Sequence, residues 1–191
     1  MISLAFINPV FLISLLAAAT IGADQHFPSP DKKQSVTYRI YDDALTTDDS
    51  SNEATLFRGD AKVWSFIGRG RGFLFSWSPR SRFLLIGFVH PERDMALYCL
   101  DSAAARPKEH DLDLAAIEDR VEASLPHRHH KSLAGRSQID FDRVEWSTDS
   151  RCRLHYHYSF DDKSGDAVLD LDLAKRSPSL KIVSIKSTPD E

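Results

Sequence analysis

Hydrophobic and polar positions alternate along most of the chain. Between residues 35 and 41, Val36, Tyr38 and Ile40 fall on one side, the period expected of a half-buried strand. From Ala54 to Leu100 the same short-period pattern recurs between turn signals, predicting a meander over 54–58, 61–67, 73–77, 82–89 and 94–100. Phe83–Val89 is apolar on both faces, so it is expected as a central strand covered on both sides. The period then changes. Leu114, Ile117, Val121 and Leu125 recur at helical spacing, predicting one helix near 111–125, with Asp111 as its cap and Pro126 ending it. Four more strands are expected at 139–147, 151–160, 167–173 and 180–187. The predicted fold class is α+β, mainly β: curved antiparallel sheets with one packed helix, arranged as a sandwich or a partly open barrel.

The ends of the chain carry a different signal. Residues 1–23 lack charged side chains, and Val10–Ala19 is an apolar run followed by small residues. This is the format of a signal peptide of residues 1–23, with Ala23 as the expected last residue before cleavage and Ala19 as the alternative. The run is shorter than the ~20 residues needed to span a bilayer, so no membrane attachment is expected after cleavage. Residues 24–34 are expected as a flexible leader, 35–188 as a single β-rich domain, and 189–191 as a tail. The protein is thus expected to be secreted.

Composition narrows the classes. The chain is 42% hydrophobic and 27% charged, the balance of a globular protein. Its net charge of −4 argues against general nucleic-acid binding. Cys99 and Cys152 are the two cysteines, an even count that predicts one disulfide in an oxidising compartment. Such a bridge would contribute roughly 4 kcal/mol by constraining the unfolded chain. No Walker loop, zincin motif or serine-hydrolase elbow is present, and no cofactor is expected.

Two histidine clusters are candidates for chemistry. In Leu154–Phe160, alternation puts Leu154, Tyr156, Tyr158 and Phe160 on one face, with His155 and His157 opposite. In the next strand Leu169, Leu171 and Leu173 oppose Asp170 and Asp172. Pairing Phe160 with Ala167 matches the apolar faces and sets His157 against Asp170 and His155 against Asp172. This face has three readings: a solvated sheet face with ordinary ion pairs, a His-x-His metal site, or a general acid–base pair. His127, Arg128, His129 and His130 form the second cluster, expected in a basic loop near a helix C-terminus or as a metal or anion site.

Gly68-Arg-Gly-Arg-Gly72 is expected as a hairpin turn carrying Arg69 and Arg71. Trp64 and Phe66 precede it on one strand face. If exposed, they are interface candidates, as are these arginines and the 127–130 loop.

A signal peptide, one β-rich domain, two cysteines and no catalytic motif together resemble small secreted effector-like proteins of plant-associated fungi. The resemblance lies in the format of the whole chain. It implies a non-enzymatic protein that binds and perturbs a host protein, including after uptake into host cells. Two alternatives stand beside it. A helix preceding an antiparallel sheet is similar to secreted fungal ribonucleases, which would use His155 or His157 with Asp170 or Asp172. A lipocalin-like ligand carrier would need a barrel with an apolar cavity.

Overall fold

The computed structural model describes residues 24–41, 51–90, 95–124, 136–160, 163–174 and 178–187. The expected signal peptide, residues 42–50, the basic loop with His127, Arg128, His129 and His130, and the tail lie outside the described residues.

Among the described residues, twelve strands form three separate four-stranded antiparallel sheets, each built from consecutive strands. Sheet A contains β1 (Gln25–Pro28), β2 (Gln34–Tyr41), β3 (Ser51–Arg58) and β4 (Ala61–Arg69). Sheet B contains β5 (Gly72–Trp77), β6 (Phe83–Val89), β7 (Met95–Asp101) and β8 (Lys108–Asp111). Sheet C contains β9 (Arg136–Thr148), β10 (Arg151–Phe160), β11 (Lys163–Asp172) and β12 (Ser179–Ser187). One helix among the described residues, α1 (Leu114–Ser124), joins sheets B and C. The fold is α+β and mainly β.

The sheets stack, with sheet B in the middle. Alternation along β6 drives this arrangement. Leu84, Ile86 and Phe88 pack with Val36, Tyr38, Ala54 and Leu56 of sheet A. Phe83 and Leu85 pack the other way, with Leu154, Tyr156, Leu169 and Leu171 of sheet C. The strand apolar on both faces is therefore buried between two layers, as its sequence requires. Leu112, Leu114, Ile117 and Val121 bring the helix into the core between sheets B and C. Side chains fill both spaces between sheets, so the barrel alternative gives way to stacked sheets.

Several expectations are corrected. The leader is structured in part: residues 25–28 pair with β2 through Phe27 opposite Val36. Asp31 holds the turn that follows, accepting from the Ser29 hydroxyl at 2.7 Å and the Lys33 N–H at 3.1 Å. Residues 108–111, just before the helix, form β8. The helix is capped by Asp113, whose carboxylate accepts from the Ala116 N–H at 3.0 Å, while Asp111 ends β8.

The predicted disulfide is not formed. Cys99 on β7 and Cys152 on β10 are both free thiols, buried in the core between sheets B and C. Burial pushes the Cys152 thiol up to about 12 and the Cys99 thiol higher still, so both stay protonated. They behave as small core side chains.

Candidate functional site

The predicted register of the histidine strand is shifted. Apolar faces do coincide, with Leu154 opposite Leu169 and Cys152 opposite Leu171. However, His157 faces Asp166 and His155 faces Val168, a slip of four residues along β11. The strands run to Phe160 and resume at Lys163, closer together than the predicted six-residue turn from Asp161 to Asp166. Asp170 and Asp172 instead meet Arg153 and Arg151, at 3.3 and 3.1 Å. The histidines take other carboxylates, His155 with Glu145 of β9 and His157 with Asp166, each at 3.2 Å.

These contacts belong to a wider pattern. Glu145, Arg153, Asp170 and Lys181 are in register across β9, β10, β11 and β12, so their charges alternate in sign. A groove of about 550 Å³ crosses this outer face, lined by Glu145, Arg151, Arg153, Asp170, Asp172 and Lys181. Opposite charges pair along it, which is the arrangement of a solvated sheet face. His155 and His157 reach toward different neighbouring strands and do not converge on one carboxylate. Among the described residues no group of three or more His, Cys, Asp or Glu is placed to hold a metal ion.

The glycine–arginine motif has a different role from the one expected. β4 and β5 belong to different sheets, so Gly68–Gly72 is a crossover and not a hairpin turn. Its glycines face inward against large rings. A Cβ at Gly68 would lie 2.6 Å from the Phe88 ring, and one at Gly70 would lie 2.8 Å from it. Gly72 has φ of +144°, which side-chain-bearing residues avoid. The alternate positions, Arg69 and Arg71, are exposed.

This crossover is held by buried polar contacts. Tyr38 donates its hydroxyl to Asn52 Oδ1 at 2.8 Å, and Asn52 Nδ2 donates to the Gly70 carbonyl at 2.6 Å. The Arg71 N–H donates to the Val89 carbonyl at 2.8 Å. The backbone between the two arginines is therefore fixed from both sheets, while their side chains face solvent.

Trp64 and Phe66 do not form the exposed surface considered for them. Phe66 packs within 5.6 to 5.7 Å of the Phe73, Phe88 and Tyr98 rings of sheet B. Trp64 stacks on Phe66 and donates its indole N–H to Glu109 at 2.9 Å. With these rings facing inward, the opposite parity of β4 faces out. Ile67 is 64% exposed there, and Tyr41 on β2 is 39% exposed on the same face. Register places Tyr41, Ser51 and Arg69 in one row, and Arg39, Glu53 and Ile67 in the next.

Glu53 organises the polar part of this face. It accepts from the Tyr41 hydroxyl at 2.6 Å, Thr55 at 3.0 Å and Lys62 at 3.1 Å. The Tyr41 hydrogen bond, with the Lys62 and Thr55 contacts, holds the Glu53 carboxyl below its ordinary range. Arg39 makes two hydrogen bonds to Asp24, at 2.6 and 2.7 Å, and lies 5.8 Å from the Tyr41 ring centre.

Sequence pattern pointed to Arg69 and Arg71 as candidates, but not to Tyr41 or Ile67. Parity was the available signal: once Trp64 and Phe66 face the core, Ile67 must face away. Comparison with protein-family models returns no match, and comparison with curated proteins returns none either.

Proposed function

We infer that this is a secreted, non-enzymatic, effector-type protein that binds and perturbs a host protein through the outer face of sheet A. One observation carries the reading. Among the described residues three large apolar side chains are exposed, and two of them, Tyr41 and Ile67, share one end of this face with Arg69. Tyrosine and arginine beside an aliphatic side chain is the composition of binding hot spots. The fixed crossover backbone supports it as well, because a surface ordered in advance loses less entropy on binding. The uncharged N-terminal run supports secretion, and the format of the chain supports a host partner, with uptake into host cells as part of the same reading.

The test is affinity capture from an extract of the encountered organism. The tagged protein is compared with a variant carrying Ile67→Lys and Arg69→Glu. A saturable partner held by the parent protein and lost by this folded variant supports the reading. Equal retention by both proteins overturns it for this face.

A further inference from the structure

The edges of the three sheets are not equally protected. β1 is four residues long and ends in Pro28, and β8 is also four residues long. β5 lies against β9, where Trp146 donates its indole N–H to Ser76 at 3.0 Å. β9 is interrupted twice in its register with β10. β12 leaves Val183 without a partner in register, and Lys181 and Lys186 flank it. Short strands, bulges, prolines and lysines are the usual means of preventing an edge from pairing with another chain.

β4 differs. Its register skips Val63, but from Trp64 to Arg69 it is unbroken against Leu56–Ser51. Among the described residues no strand pairs with the other side of this segment, which makes it an edge of sheet A. Ile67 is the most exposed large apolar side chain among the described residues, and it lies in the middle of the segment. Arg69 and Arg71 follow on the exposed side of the crossover. A chain of net charge −4 thus presents two arginines beside an unbroken strand edge.

We propose that the Trp64–Arg69 edge of β4 accepts an extended acidic segment of a partner protein as a fifth strand of sheet A. Main-chain hydrogen bonds to the edge supply binding that does not depend on sequence. Specificity comes from alternate side chains of the added strand, an apolar one beside Ile67 and carboxylates beside Arg69 and Arg71. This rests on the reading of the neighbouring face as a binding surface, and it adds the mode of binding and the chemistry of the partner.

The experiment selects a phage-displayed random peptide library on the full processed protein. Binding of the selected peptides is then measured together with amide hydrogen exchange. The expected result is enrichment of peptides with two Asp or Glu residues spaced two apart and an apolar residue two positions beyond one of them, all on one face of the added strand. These should slow exchange at Ser65–Arg69, weaken with salt, and bind Arg69→Glu/Arg71→Glu at least about tenfold more weakly. Both substitutions are at exposed positions, and the fold of the variant is checked by circular dichroism. Peptides without acidic enrichment, or without slowed exchange on β4, overturn the proposal. A dimer seen by sedimentation and abolished by Ile67→Lys overturns it too, because a second copy then occupies the edge. The reading of the face itself fails separately, when partner capture is unaffected by Ile67→Lys and Arg69→Glu.

Discussion

Phe141 of β9 lies over the bare α-carbon of Gly87 in the middle of β6. A Cβ at Gly87 would sit 2.6 Å from the Phe141 ring and 3.3 Å from the Met95 sulfur. Sheet C thus presses an aromatic ring onto the central strand where that strand has no side chain. Gly87→Ala should destabilise the protein by about 1–3 kcal/mol through overpacking. Chemical denaturation should show a lower midpoint with an unchanged slope. Pairing it with Phe141→Leu should recover part of the loss, since the smaller side chain makes room.

Asp149, in the turn between β9 and β10, ties sheet C to sheet B. It accepts from the Ser78 hydroxyl at 2.6 Å and the Arg80 N–H at 2.8 Å. Ser78 in turn accepts from the Phe83 N–H at 2.9 Å. Asp149→Ala leaves these donors without their acceptor and should cost about 1–3 kcal/mol. Asp149→Asn keeps an acceptor oxygen and should lose less. Thermal unfolding of the two variants provides the comparison.

The two thiols should be silent in the folded state. Cys99 and Cys152 are buried and free, and burial keeps both protonated. A thiol-reactive chromogenic disulfide should label neither at neutral pH and both in denaturant without added reductant. Failure to label in denaturant would show that a bridge had formed.

Acid should weaken the protein in two steps. Burial and the nearby Lys108 charge lower the pKa of His110. The unfolded chain then takes up the proton first, so this contribution to stability is intact above about pH 6.5 and declines as pH falls through that value. His110→Gln should remove the first step from a plot of unfolding free energy against pH. Glu53 and Asp31 also have lowered pKa values, through hydrogen bonds from Tyr41 to Glu53 and from Ser29 to Asp31. Their stabilisation is present above the ordinary carboxylate range of about pH 4 and is lost as pH falls through the lowered values. Glu53→Gln should reduce the second step.

Local pattern was enough to determine most strands, helix α1 and the buried character of Phe83–Val89. These depend on which side chains alternate and with what period, and a chain carries that period in its order of residues. Parity was legible for the same reason: Leu154 and Leu169 share a face, as their alternation requires. The register within that parity was not legible, because slipping one strand by an even number of residues keeps every apolar side chain inside. Turn length and the pairing of Arg151 and Arg153 with Asp172 and Asp170 decided it. The partition into three sheets was also hidden. Gly68–Gly72 has the composition of a hairpin turn, but it joins two different sheets, with Phe88 packed against Gly68 and Gly70. That crossover turns Trp64 and Phe66 inward and leaves Tyr41, Ile67 and Arg69 outside. The candidate binding face therefore depended on which sheet covers which, a long-range packing result that alternation along a single strand cannot specify.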